Sequence, residues 1–94
     1  MSSSDRTFPS VWCFSVFAAA EVSVTPRVLG EFAKRDLLPA RFAAVVRGGD
    51  LSVDVEIADL AADVAAHIAE VLRGLVHVER VLMVTRTLSH EARA

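Results

Sequence analysis

The sequence predicts an α+β sandwich of βαββαβ order, a four-stranded antiparallel sheet with two helices on one face. Three observations predict it. Leu51 to Ile57 alternates apolar and polar residues without a break, the period of a strand with one face in a core. Gly48-Gly49 stands between this run and Arg41 to Arg47, which is the signal of a tight hairpin. On each side of the hairpin lies a stretch with helical apolar spacing, bracketed by a further run of strand character.

Val11 to Ala20 is the first strand. Trp12, Phe14, Val16 and Ala18 share one face, and Cys13, Ser15, Phe17 and Ala19 the other. Both faces are mostly apolar, so the strand is central, and burial of its second face is expected as well. Glu21 to Val24 connects it to a helix opened by Thr25-Pro26. Thr25 is the N-cap and Pro26 the first helical residue, where a missing N–H costs nothing. Val28, Leu29, Phe32 and Ala33 form the apolar stripe, and Arg27, Glu31 and Arg35 are spaced for i,i+4 pairs. Gly30 weakens the helix by up to about 1 kcal/mol relative to Ala and is read as permitting close packing. The helix ends near Asp36, because Pro39 disfavours helical geometry at Leu38.

The hairpin loop fixes a register. Val46 faces Leu51, Ala44 faces Val53 and Phe42 faces Val55 on one face. On the other, Arg41 lies opposite Glu56, Ala43 opposite Asp54 and Val45 opposite Ser52. A one-residue slip would carry Arg41 and Asp54 into the core, so the register is well specified. Asp59 caps a second helix, Leu60 to Arg73, with Leu60, Val64, Ile68, Val71 and Leu72 as its stripe and Gly74 as its C′ residue. His77 to Arg86 is the last strand, with Val81 and Met83 on one face and Leu82 and Val84 on the other. The domain is expected over 11–86, with a Ser-rich lead at 1–10 and a polar tail at 87–94. Two right-handed crossovers around a hairpin give the ferredoxin-like arrangement, strand order 4-1-3-2.

A chain of 94 residues makes one domain. It is 53% hydrophobic, more than a small monomer needs, so some apolar area is expected to meet a partner chain. The sheet face away from the helices supplies it. Phe17, Val45, Leu82 and Val84, with Ala19, make an interface patch rimmed by Ser15, Arg41, Asp54 and Glu56, and a homodimer is expected. The net charge of −2, with acids and bases interspersed, gives no footprint for nucleic acid or an anionic membrane. Cys13 is the only cysteine, which excludes an internal disulfide and fits a reducing cytoplasm. The run ending Ala18-Ala19-Ala20 has the look of a secretory signal, but Asp5 cancels Arg6 and Pro9 and Ser15 interrupt it.

No catalytic constellation stands out. The sequence has no Gly-rich phosphate loop, no His-Glu-x-x-His and no nucleophile elbow. His67 reads as a solvated helix residue, and His77 and His90 have no partner spacing for a metal. No metal or cofactor is expected. RNA readers of this fold need aromatics on the outer face of the central strands, where Ser52, Asp54 and Glu56 stand instead. A phosphate-cleaving loop of acylphosphatase type needs Gly and Asn, which Glu21 to Arg27 lacks.

Thr25-Pro26-Arg27-Val28-Leu29, followed by Phe32-Ala33-Lys34-Arg35-Asp36, resembles the first loop and helix of ACT domains. There the pattern runs x-x-P-G-x-L, then F-x-x-R-G. Leu72-Arg73-Gly74-Leu75-Val76-His77-Val78-Glu79-Arg80-Val81 is similar to the ACT ending, in which a helix runs into V-x-x-V. The resemblance spans Phe14 to Val84 and is closest to the short small (regulatory) subunits of acetolactate synthase. Those share the Arg-Val-Leu opening of the helix and the L-x-x-L-V-x-V-x-x-V ending. It implies a non-catalytic module of branched-chain amino-acid biosynthesis, paired with itself and with an enzyme large subunit. It also implies a small ligand, often an amino acid, bound near the first loop at Ser23, Val24, Thr25, Arg27 and Val28. The N–H groups opening the helix would receive its carboxylate. Three positions depart from the pattern. Val24 stands where Asp or Asn is common, Arg27 where Gly follows the Pro, and Asp36 where Gly follows the helix. Gly lets a ligand approach the backbone, and Arg27 crowds that approach. A free-standing amino-acid sensor and a pure pairing module without a ligand are therefore the alternative readings.

Overall fold

The hairpin has the register that its loop dictates. In the computed structural model, which describes residues 10–87, Arg41 pairs with Glu56, Ala43 with Asp54, Val45 with Ser52 and Arg47 with Asp50. Gly48 has φ +61° and Gly49 has no positive φ, as in a type II′ turn. The elements are β1 (Ser10–Ala19), α1 (Val24–Ala33), β2 (Arg41–Arg47), β3 (Asp50–Ala58), α2 (Ala62–Arg73) and β4 (Val78–Thr87). The sheet order is β2-β3-β1-β4, the predicted order read from the other edge. β1 is antiparallel to β3 and β4, with a register shift against β4 at Phe17/Ala18. Apart from Ser10 and Thr87, which belong to β1 and β4, the expected lead and tail lie outside the described residues.

One face of the sheet carries the core. Phe14, Val16, Val53, Val55 and Val81 meet Val24, Val28 and Phe32 of α1 and Ala65, Ile68, Ala69 and Leu72 of α2. The Phe14 and Phe32 rings meet edge to face, centroids 5.3 Å apart, which adds about 1 kcal/mol beyond area burial. Trp12 at the margin donates its Nε1–H to the Leu60 carbonyl at 2.8 Å, tying β1 to the segment before α2.

The helix ends differ from the expectation, each for a local reason. Val24 is 1% exposed, and its burial draws it into α1, so the N-cap position falls on Ser23 rather than Thr25. Pro26 becomes the third helical residue. It still loses nothing, because the first turn bond runs from the Arg27 N–H to the Ser23 carbonyl. The regular helix stops at Ala33, and a turn carries the chain to Asp36 at φ 62°. There the Asp36 N–H bonds to Ala33 O and the Leu37 N–H to Phe32 O, the two bonds of a Schellman ending. Asp36 thus holds the left-handed conformation usually given to glycine. Among the described residues a Cβ on Gly30 would meet nothing within 4 Å, so this glycine serves no close packing between them.

Asp59 does not cap α2. It turns the chain at φ 58°, with its N–H on the Ser10 carbonyl, and Ala61 takes the N-cap position without a side-chain bond. Asp63 sits in the first turn instead, favourably placed for the helix dipole. The buried stripe is Ala65, Ile68, Ala69 and Leu72, while Val64 is 39% exposed. Gly74 has an ordinary helical φ of −87°; the left-handed residue of this loop is His77 at φ 75°.

Candidate functional site

The strand period decides what the outer sheet face presents. Side chains alternate across a strand, so the odd-numbered residues of β1 and β2, the even-numbered ones of β3 and, from Arg80 on, the even-numbered ones of β4 stand together away from the helices. Across the strands they form rows: Arg41–Glu56–Cys13–Val84, Ala43–Asp54–Ser15–Leu82, and Val45–Ser52–Phe17–Arg80. The four residues expected at an interface therefore share one face. Val45, Leu82 and Val84 are 43%, 50% and 61% exposed, and Phe17 is half-buried.

Polar groups thread this face. Ser15 donates its Oγ–H to Asp54 at 2.8 Å. Glu56 stands between two guanidinium groups, Arg86 at 3.3 Å and Arg41 at 3.9 Å. Arg86 also reaches the Cys13 Sγ at 3.0 Å. The exposed Arg80 lies over the Phe17 ring, 4.4 Å from its centroid, a cation–π contact. Beside it a shallow cavity of about 310 Å³ is lined by Phe17, Val45, Arg47, Asp50, Ser52 and Arg80, among others. The arginines were within reach of sequence reasoning, since Arg80 and Arg86 have the parity of Leu82 and Val84. The Arg86–Glu56 contact spans the sheet from β4 to β3 and has no local signal.

The expected ligand loop lies elsewhere, at the opening of α1. Its five residues do not converge on one surface. The Val24 and Val28 side chains are in the core, 1% and 0% exposed, and face away from any ligand. Ser23 and Thr25 are half-buried and Arg27 is exposed. The N–H groups are also largely committed. That of Val24 bonds to Glu21 O, that of Arg27 to Ser23 O, and Pro26 has none. The Ser23 and Thr25 N–H groups have no backbone partner among the described residues. Among the described residues no cluster of His, Cys, Asp and Glu could hold a metal ion. No helix among them is long and apolar enough to cross a membrane.

A family comparison decides between related folds. Residues 7–91 match the family described as the ACT-like domain. The chain belongs to the ACT-like domain family. Domains of this family are typically regulatory. Solved structures agree on the fold. The ACT domain of the GTP pyrophosphokinase of Chlorobium tepidum superposes with TM-score 0.70 at 15% identity, covering 79% of this chain and 96% of that one. A solution structure of the same domain gives 0.71 at 14% identity, covering 81% and 86%. The C-terminal domain of the MgtC protein from Mycobacterium tuberculosis gives 0.68 at 10% identity, covering 83% and 88%. Identities this low show a common fold alone. No curated protein matches the sequence.

Proposed function

We propose that this ACT-like chain is a non-catalytic regulatory module that pairs with a second copy through its outer sheet face and serves an enzyme of amino-acid biosynthesis. The observation that carries the pairing is that face itself. A one-sided helix layer leaves Val45, Leu82 and Val84 exposed beside Phe17 on one contiguous face. Such a patch favours burial against another chain by about 25 cal/mol per Å² of apolar area removed from water. The Arg27-Val28-Leu29 opening and the Leu72-to-Val81 ending support a large subunit of acetolactate synthase as the enzyme partner.

Light scattering on the intact chain tests the pairing. The mass should be that of an assembly, and Leu82→Lys should lower it. A single-chain mass at micromolar concentration would reject the reading. The enzyme partner is tested by mixing the chain with an acetolactate synthase large subunit. Co-elution and altered activity are expected; neither would remove this partner.

Amino-acid sensing is a second reading, favoured by the uncommitted Thr25 N–H beside the exposed Arg27. In it Val24 and Val28 contribute backbone only, and Ser23, Thr25 and Arg27 receive the carboxylate. Thermal shift against the common amino acids tests it. A ligand that stabilises the chain but not Arg27→Ala supports it, and a silent screen leaves the pairing role alone.

A further inference from the structure

The outer face changes character along its length. Near Arg41 its positive charge is answered, because Glu56 takes both Arg86 and Arg41 as ion-pair partners. Near the hairpin it is not. Arg47 and Arg80 are both exposed and take part in no ion pair among the described residues. Both line the cavity of about 310 Å³.

The register shift shapes this cavity. β1 pairs Phe17 with Arg80 and Ala18 with Val78, which leaves Glu79 as an extra residue on β4. An extra residue bends its strand and re-aims the side chains beside it, and Glu79 and Arg80 line the cavity together. Arg80 lies over the Phe17 ring, so its guanidinium stands above an apolar floor. Val45 continues that floor, with the half-buried Ser52 between the two in the same row. Arg47 lines the cavity from β2, at the far edge of the sheet.

We propose that this cavity binds a small monocarboxylate with a short apolar chain. The carboxylate meets the Arg80 guanidinium, with Arg47 as the second cation and the Ser52 hydroxyl as a neutral donor. The chain lies on Phe17 and Val45. Three observations select that chemistry. A guanidinium offers a planar fork that matches the two oxygens of a carboxylate. The volume lies at the small end of ligand sites, which are mostly apolar with a few polar groups. Asp50 and Glu79 line the same cavity, so the lining has no net charge and does not favour a multiply charged anion. The site is on the sheet face away from the helices and shares no residue with the loop at Ser23 to Val28. It is complete in one chain. It therefore does not rest on the outer-face pairing, although Phe17 and Val45 belong to both.

Titration of the intact chain with 4-methylpentanoate, followed by NMR, tests this. Saturable shifts are expected at the amides of Phe17, Ser52 and Arg80, and none at Thr25 or Arg27. Arg80→Met keeps an apolar stem over the ring and removes the charge, and should weaken binding about tenfold or more. Arg47→Met should weaken it less. Both arginines are exposed, so both variants keep the fold. Arg86→Met is the control, since Arg86 lies outside the cavity, and it should leave the affinity unchanged. The amide of the same acid, which has the chain without the charge, should bind more weakly. So should inorganic phosphate, which has charge without a chain. Leu82→Gln is an uncharged change in the pairing patch outside the cavity, and it should keep the affinity whatever it does to the mass. Either reading can thus fail alone. The proposal is overturned by the lack of a saturable shift at tens of millimolar, by shifts confined to residues outside the cavity, or by equal binding of the amide or of phosphate. It is overturned equally if Arg80→Met binds as the unaltered chain does, if Arg86→Met loses as much as Arg80→Met, or if Leu82→Gln abolishes binding.

Discussion

Moving one glycine along α1 should stabilise the domain twice over. Gly30 lies inside the helix, with no positive φ, and among the described residues no atom beyond its own helix backbone lies within 4 Å of where a Cβ would stand. Gly30→Ala removes backbone freedom from the unfolded chain at no steric cost, a gain of about 0.5–1 kcal/mol. Asp36 holds φ 62°, where a Cβ is strained, and its side chain makes no hydrogen bond or ion pair among the described residues. Asp36→Gly relieves that strain and should gain a further amount of about 0.5–1 kcal/mol. The two sites share no side-chain partner, so the gains should add to within about 0.5 kcal/mol. For a domain of this size 1 kcal/mol moves Tm by about 4–8 °C, so the double variant should melt about 4–16 °C higher. Gly48→Ala is the control. It has open space too, but φ +61°, and it should lose stability. Thermal unfolding followed by circular dichroism reads the four variants against the unaltered chain. A destabilised Gly30→Ala would refute the reasoning.

Two further outcomes follow from the core and from the charged face of α1. Phe14 is fully buried against Phe32, so Phe14→Ala should cost about 3–5 kcal/mol by chemical denaturation; a loss under 1 kcal/mol would contradict the core described here. Burial acts to raise the pKa of Glu31, but the hydrogen bonds from Arg35 and Lys34 and the attraction of both cations outweigh it and hold the carboxyl below its ordinary range. The unfolded chain then binds the proton more readily than the folded one. The stabilisation is complete above the ordinary carboxylate range and is lost as pH falls through the lowered value. Glu31→Gln should therefore lose less stability on acidification than the unaltered chain, and parallel pH profiles would refute the assignment.

The strands were more legible than the helix ends, and the reason is range. Gly48-Gly49 and the alternation from Leu51 to Ile57 fix the hairpin register within the segment itself, so nothing distant could override it. Parity then assigned Phe17, Val45, Leu82 and Val84 to one face. The caps failed because Thr25 and Asp59 are good local candidates competing with long-range contacts: core burial of Val24, and the bond from the Asp59 N–H to Ser10 O. Ala69 was missed because a small residue adds little to an apolar period, although a helix lying close on a sheet favours small residues. The sequence showed Asp36 as a departure from the family pattern. Only the backbone shows that aspartate there keeps the glycine conformation. The loop at Ser23 to Val28 was legible as a family motif, but the burial of Val24 and Val28 depends on the packed core.

Cys13 offers the most direct test of the outer-face pairing. It is the only cysteine, it is half-buried in the single chain, and it stands at the middle of that face between Glu56 and Val84. Its alkylation rate should fall as concentration rises through the range in which light scattering shows association, and Leu82→Lys should restore the rate of the dilute chain. An alkylation rate that stays the same while the chains associate would contradict the account, because the associated chains would then leave this face in water.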